Sequence, residues 1–294
     1  MPVSINLTAP LARAANYNAN PVPHALAAVN TTDVLGYVVL DRDGAIVSEF
    51  YAAGRTAVNT ADVHGVTKSW TALLACQLID RGQLNLSSTL YDVFTDEWPA
   101  GVDDDSSKRS ITISQLLAMK SGLKNRPYDA LQPQDTLLQA LNHARFDPSL
   151  VGWPTYLYST SILSYVIRKA SGQTPLQYAS VHLLPALGIS PFELSWQANA
   201  EGVEYSAFGL EATPTQLAKL ARLMLQGGLA TETWRVLSAE LSEASLRNQQ
   251  DNGTTLDLAD DSIDGFAWLK YLFGGPGSIC RSGVADGGGN DGCA

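Results

Sequence analysis

The residues best suited to chemistry stand together in one short segment, His64–Leu74, which reads HGVTKSWTALL. An imidazole, an amine and several hydroxyls lie at the start of a run with helical apolar spacing. Other common signatures are missing from the sequence: the phosphate loop GxxxxGK[ST], the zinc motif HExxH, the nucleophile elbow GxSxG, and a GxGxxG after a strand. Residues 260–271 loosely resemble a calcium loop, but Tyr271 occupies the position of the final glutamate, which favours a solvated acidic loop.

Three blocks of the sequence resemble one family. GVTKSWTALLACQLIDRGQLNLSSTL (65–90) resembles the nucleophile helix of the β-lactamase-related serine hydrolases, whose motif is S-x-x-K at a helix start. That superfamily includes class C β-lactamases, penicillin-binding peptidases, esterases and 6-aminohexanoate-dimer hydrolases. ITISQLLAMKSGL (111–123) and FGLEATPTQLAKLARLMLQGG (208–228) resemble two later blocks, in the same order. The resemblance covers about residues 34–294 and favours the esterase and nylon-oligomer-hydrolase branch.

The resemblance assigns Lys68 to the motif lysine and places Gly65 where the family has its nucleophilic serine. In the family, a neighbouring base activates the serine hydroxyl, which attacks a carbonyl carbon to give an acyl-enzyme. A spacing of three residues puts both side chains on one helix face, and a lysine among apolar groups can be neutral enough to be that base. Glycine has no hydroxyl, so the chain is expected to be inactive through residue 65. Ser69 follows the lysine and Thr67 points to another face, so neither replaces the serine.

The resemblance also implies a loop tyrosine, in a Y-x-N motif, that relays a proton to the leaving group. Tyr156 and Tyr158 both stand in the segment WPTYLYSTSI (153–162), and neither begins a Y-x-N motif. The sequence separation from the later Ser171 and Gly172 favours Tyr156, whereas the tripeptide Tyr-Ser-Thr that begins at residue 158 favours Tyr158. Both therefore remain candidates, and the other tyrosine is expected to be a half-buried packing residue.

The segment ADGGGN (285–290) resembles the family's glycine-rich edge strand, which faces the nucleophile. Asp286, Gly287, Gly288 and Asn290 are expected to form the substrate and oxyanion side of the cleft, since glycines let a ligand approach the backbone closely. One N–H of this strand would join that of residue 65 as the oxyanion hole. The chemistry implied by the resemblance needs no metal or organic cofactor. Its ligand would be a small ester, amide or peptide-like molecule.

Two interpretations of the glycine at position 65 remain open. The chain is either a serine hydrolase for ester or amide bonds, present in a nucleophile-less form, or a non-catalytic pseudoenzyme. The pseudoenzyme would use the same cleft to bind a small ligand or a partner. The intact lysine, the two candidate tyrosines and the glycine-rich segment favour the first interpretation.

The composition excludes several other classes of protein. Nineteen Lys+Arg against 29 Asp+Glu give a net charge of −10, whereas binding to nucleic acid needs a basic surface. No run reaches the ~18 apolar residues of a membrane span, and residues 1–20 lack a secretory signal pattern, which favours a cytoplasmic location. The three cysteines, Cys76, Cys280 and Cys293, have no CxxC spacing and predict neither a disulfide framework nor a zinc site. Cys76 is expected to be a small core residue.

Local patterns predict the elements that position these residues. Residues 34–51 predict an antiparallel hairpin around Asp43-Gly44, and apolar residues at 66, 70, 73, 74 and 78 predict a helix over 66–79 that stops before Gly82. Further helices are predicted over 111–119, 135–145, 160–171, 175–185 and 214–226, and strands over 266–272 and 278–280.

Strands near both ends with helices between them predict an α+β fold: an antiparallel sheet from both chain ends, flanked by helices, plus a mostly helical subdomain. Residues 1–32 are interpreted as an N-terminal extension, residues 33–75 and 262–294 as the sheet part, and residues 76–261 as the mainly helical part. The resemblance implies a β-lactamase/transpeptidase-like arrangement whose C-terminal strands and helix are missing after Ala294. The cleft is expected between the two parts, at the start of the helix over 66–79.

Overall fold

The computed structural model describes residues 5–18, 34–41, 43–125, 136–152 and 162–246. Within these ranges the strands are β1 (Arg13–Asn18), β2 (Gly36–Leu40), β3 (Ile46–Tyr51), β4 (Ala61–Asp62), β5 (Ser121–Asn125), β6 (Ala144–Val151), β7 (Ser195–Trp196) and β8 (Leu210–Ala212). The α-helices are α1 (Thr67–Asp80), α2 (Leu90–Phe94), α3 (Asp105–Arg109), α4 (Ile113–Leu117), α5 (Leu137–Asn142), α6 (Ile162–Ser171), α7 (Pro175–His182), α8 (Pro214–Leu225) and α9 (Ala239–Leu246). Short 3-10 turns cover His64–Val66, Pro185–Leu187 and Pro191–Glu193.

The first sheet has the strand order β1-β3-β2. β2 and β3 form the predicted antiparallel hairpin, whose turn is closed by the Gly44 N–H donating to the Asp41 carbonyl at 3.0 Å. β1 pairs in parallel with β3, so this sheet is mixed, and the segment interpreted as an N-terminal extension contains a strand. The β1 sequence has no β-branched residue to indicate a strand. A tertiary contact holds it instead, because Glu49 on β3 accepts hydrogen bonds from Arg13 and Tyr17.

Helix α1 runs through the hydrophobic core. Every residue from Thr67 to Leu78 is buried, so the helix is covered on all sides, and α6 and α7 pack against it. The apolar positions that predicted this helix mark only one of its buried faces, since a helix inside a core need not be amphipathic. The prediction over 66–79 is confirmed, and the chain leaves the helix through Gly82, whose φ is +67°.

Threonine capping boxes begin three of the predicted helices: Thr112 before α4, Thr174 before α7 and Thr213 before α8. In each, the threonine hydroxyl accepts the backbone N–H of a glutamine three residues later, and the glutamine side chain accepts the threonine N–H. Two otherwise unpaired N–H groups at the helix start are thereby satisfied. The helices predicted over 111–119, 175–185 and 214–226 are confirmed.

Removal of one capping hydroxyl gives the first prediction. Thr213→Ala should lower the free energy of unfolding by about 1–2 kcal/mol, because the buried Gln216 N–H loses the acceptor that it now has at 3.1 Å. Thr213→Ser keeps the hydroxyl and is the matched control, with an expected loss of about 0.5 kcal/mol or less. Urea unfolding of the three proteins measures both differences. Equal losses in the two variants would contradict a role for the hydroxyl.

Strands β5 and β6 form an antiparallel pair that the sequence analysis did not predict. The helix predicted over 135–145 ends at Asn142, and β6 begins at Ala144. β6 pairs with β5, which precedes helix α5 in the sequence. Periodicity within a local window carries no information about a partner outside that window.

Small sheets and packed helices confirm the α+β class. The strands predicted over 266–272 and 278–280 lie outside the described residues, so a sheet shared by both chain ends stays a prediction. Over the ranges that the structure describes, no helix combines the length and the apolar character needed to cross a membrane.

Candidate functional site

The segment with Gly65 and Lys68 begins at the edge of a small sheet with the strand order β4-β8-β7. After β4, the Val63 N–H donates to the Leu210 carbonyl of β8 at 2.9 Å. The chain then makes a 3-10 turn over His64–Val66 and enters α1 at Thr67. The sheet thus fixes one end of the turn and the buried helix fixes the other.

Gly65 and Lys68 differ in exposure although only two residues separate them. Gly65 is half-buried, whereas 1% of Lys68 is exposed. Side chains three residues apart are neighbours on a helical segment. Residue 65 lies in the 3-10 turn and Lys68 in the first turn of α1, so a side chain at position 65 would lie on the same side of the chain as Lys68.

Two of the three sequence blocks meet at this site. The Leu210 N–H of β8 donates to Thr67 Oγ1 at 3.3 Å, and Thr71 Oγ1 donates to the Ser206 carbonyl at 3.2 Å. These bonds tie the first turn of α1 to the strand before α8. The order of the blocks in the sequence does not indicate this contact.

The hydroxyls and the thiol on α1 closest in sequence to Gly65 do not offer a replacement nucleophile. Thr67 is fully buried and its oxygen is occupied by the Leu210 N–H. Ser69 is also fully buried. Cys76 is a core residue, as predicted, and burial raises the pKa of its thiol to about 12, so the thiolate is scarce at neutral pH.

An imidazole–carboxylate pair lies directly before Gly65, and the sequence analysis did not assign it. The His64 N–H donates to Asp62 Oδ1 at 2.7 Å, and Asp62 Oδ2 lies 3.6 Å from His64 Nδ1. The side chains are 44% and 35% exposed, so both reach solvent. His64 has a φ of +45°, a region that non-glycine residues enter uncommonly. In an Asx-turn, an aspartate side chain accepts the backbone N–H of the residue two positions later. Asp62 stands two positions before His64, so the sequence could have indicated this hydrogen bond.

Two acidic side chains face each other across the β4–β8 pair. Asp62 is directly opposite Glu211 in the β4–β8 pair, and residues opposite one another in an antiparallel pair share a face. Thr60 Oγ1 donates to Glu211 Oε2 at 3.3 Å, so this carboxylate on the central strand β8 has a partner just before β4. Like charges directly opposite one another in an antiparallel pair are unfavourable.

The other predicted site residues cannot be compared with this geometry. Tyr156 and Tyr158, and Asp286, Gly287, Gly288 and Asn290, lie outside the described residues, so their roles stay predictions. Among the residues that are described, no group of three or more His, Cys, Asp or Glu side chains could hold a metal ion.

Comparison with known families identifies the family of this chain. A family model described as Beta-lactamase matches residues 12–292. The chain belongs to the β-lactamase family. The match begins directly before β1, so this strand lies within the matched residues. A comparison of this family member with curated proteins finds no match.

Solved structures share the fold of this β-lactamase-family chain. A Bacillus anthracis protein described provisionally as a 6-aminohexanoate-dimer hydrolase matches with a TM-score of 0.64 and 17% identity, over 84% of this chain and 71% of that one. A family VIII carboxylesterase matches with a TM-score of 0.58 and 16% identity, over 81% and 77%. A penicillin-binding protein homologue from Caulobacter crescentus matches with a TM-score of 0.53 and 16% identity, over 79% and 77%. The predicted family and fold class are therefore confirmed.

Proposed function

We propose that this chain has the ester- or amide-binding cleft of a serine hydrolase but cannot form an acyl-enzyme at residue 65. The observation that carries the proposal is the half-buried glycine three residues before a buried lysine, in a strand–turn–helix segment. A serine at that position would have its hydroxyl beside the lysine amine. Glycine supplies no nucleophilic oxygen at this position.

The roles of the other residues follow from the family resemblance. Lys68 is the base position and a polar anchor for the carbonyl or carboxylate of a ligand. Tyr156 or Tyr158 would relay a proton to the leaving group, and residues 286–290 would supply the oxyanion side. Binding energy from parts of a ligand distant from the reacting bond does not depend on the nucleophile. The cleft can therefore hold an ester or amide without reacting through residue 65.

A binding role is the second candidate, and the same segment favours it. Thr67 and Ser69, the hydroxyls nearest to Lys68 in sequence, are fully buried and do not substitute for the missing serine. Such a chain would use its cleft to hold a small ligand or a partner. The two candidates share the binding step and differ in whether a restored serine is acylated.

Ligand binding without acylation is the prediction that tests the shared step. Isothermal calorimetry with short amides, linear amide oligomers and alkyl phosphonate monoesters should find at least one ligand, and the intact mass of the protein should not change. Lys68→Met should weaken that binding by about 10-fold or more, since a charged hydrogen bond contributes about 1.5–3 kcal/mol.

Lys219→Met is the matched control for loss of a buried lysine. Lys219 is 6% exposed, and its Nζ donates to the Leu187 carbonyl on a different part of the fold. The Lys219→Met variant should bind the ligand with wild-type affinity. Its stability shows how much the loss of a buried amine costs by itself. A panel in which nothing binds, or equal losses in both variants, would remove the Lys68 cleft as the ligand site.

A further inference from the structure

We propose that His64, held by Asp62, activates a water molecule for direct hydrolysis of an ester bound at Gly65, without a covalent intermediate. The inference rests on the proposed function, because it needs the carbonyl of a bound ligand beside residue 65. It adds a base and a solvent nucleophile to a site whose own nucleophile is missing. The substrate class of the proposal is esters. The alkoxide that leaves an ester needs one proton, and the imidazole can return to it the proton taken from water.

The first support is the way in which one carboxylate holds the imidazole. Asp62 Oδ1 accepts the His64 backbone N–H at 2.7 Å, and the other oxygen faces Nδ1 at 3.6 Å. A carboxylate opposite Nδ1 favours the tautomer with its hydrogen on that nitrogen, so Nε2 keeps the lone pair that accepts a proton. Catalytic hydrogen bonds are often long without substrate and shorten in the complex, so 3.6 Å is compatible with this role.

The second support is the backbone conformation. His64 has a φ of +45°, which costs a non-glycine residue free energy and persists only where surrounding contacts impose it. The Asp62 bond is such a contact, and the next residues enter the buried helix α1. The residue held in this conformation carries an exposed imidazole and directly precedes Gly65.

The third support is access to solvent. The His64 side chain is 44% exposed and Gly65 is half-buried, whereas Thr67 and Lys68 just after them are buried. Water therefore reaches this end of the segment. Glycine supplies no hydroxyl at residue 65, and the proposed step takes the attacking oxygen from this solvent.

The proposed step is balanced without any further reactant. His64 Nε2 takes a proton from water while the water oxygen bonds to the ester carbonyl carbon, which gives a tetrahedral oxyanion. The oxyanion collapses, the bond from carbon to the alkoxide oxygen breaks, and the alkoxide takes the proton from His64 Nε2. The products are a carboxylic acid and an alcohol, and His64 returns to its neutral form.

The test measures hydrolysis of p-nitrophenyl acetate by the full chain. His64→Asn should lower kcat/KM by about 100-fold, the scale of a general base. Asparagine tolerates a positive φ and can donate from Nδ2 to Asp62, so the backbone and the pairing are kept while the base is lost. Asp62→Asn keeps an acceptor for the His64 N–H but removes the charge that orients the ring. It should lower kcat by a smaller factor and leave KM unchanged.

His182→Asn controls for hydrolysis by any exposed imidazole. His182 packs on Tyr178, whose ring also lies under Arg81 at the opposite end of α1. This variant should keep the wild-type rate. His64→Gly should be inactive and should regain activity with added imidazole, beyond the rate that imidazole gives with His182→Asn, which a purely structural role of His64 would not produce.

Three outcomes would overturn the inference: a wild-type rate no higher than that of buffer, equal rates for wild type and His64→Asn, or no rescue by imidazole. A stable acyl adduct on the wild-type chain would overturn it as well. Failure here is distinguishable from failure of the proposed function. If ligands still bind and a serine at position 65 is acylated, the cleft stands and only the role of His64 is lost.

Discussion

Gly65→Ser should become covalently labelled by a fluorophosphonate, with a mass increase of one phosphonyl group per chain, whereas the wild-type chain should stay unlabelled at residue 65. The expected effect is large because the substitution supplies the one atom that acylation lacks. Positions 65 and 68 are three residues apart across the junction of the 3-10 turn and α1, a spacing that brings side chains together, so the new hydroxyl should lie within about 3 Å of the Lys68 amine. Hydrolysis of p-nitrophenyl esters should rise by about 100-fold or more.

Two variants separate this mechanism from a change of backbone. Gly65→Ala stiffens the turn like serine but has no hydroxyl, so it should remain unlabelled. Gly65→Ser combined with Lys68→Met has the hydroxyl but no base, and it should also remain unlabelled. Intact-mass spectrometry measures all four proteins under one set of conditions. If Gly65→Ser stays unmodified while its thermal unfolding matches wild type, position 65 is not the nucleophile position of this chain.

Gly188→Ala should cause a large loss of stability. Gly188 follows the Pro185–Leu187 turn with a φ of +58°, and a Cβ there would lie 2.0 Å from the Thr8 carbonyl oxygen. The clash is with backbone atoms of the N-terminal segment, which cannot rotate away as a flexible side chain would. The left-handed conformation and the overpacking together should lower the free energy of unfolding by about 2–5 kcal/mol.

Gly172→Ala is the matched control for the conformational part of that loss. Gly172 follows α6 with a φ of +72°, and a Cβ there would have nothing within 4 Å. It should lose only about 1–2 kcal/mol, the cost of the left-handed conformation for an L-residue. Urea unfolding gives both values. A loss in Gly188→Ala no larger than in Gly172→Ala would contradict the close packing of Thr8 against this turn.

Local signals were sufficient wherever the physical cause of an element lies within a few residues. The Asp-Gly turn predicted the hairpin of β2 and β3, because turn type follows from residues that accept a positive φ. Thr213 followed by Pro214 and Gln216 predicted the start of α8, because a capping box acts over three residues. The spacing of Gly65 and Lys68 and the two further blocks were enough to indicate the family, which the match over residues 12–292 confirms.

Contacts between distant segments decided the rest. The β1 strand has no β-branched residue, and its contacts with Glu49 and the edge of β3 hold it in place. β5 pairs with β6 across a long stretch of sequence, and the two-residue strand β4 exists only through its pairing with β8. A short strand gains its hydrogen bonds from its partner, so its own residues carry almost no pattern. The burial of Lys68 and the exposure of His64 a few residues away have the same cause. They depend on where α1 enters the core, which is set by the tertiary packing around it.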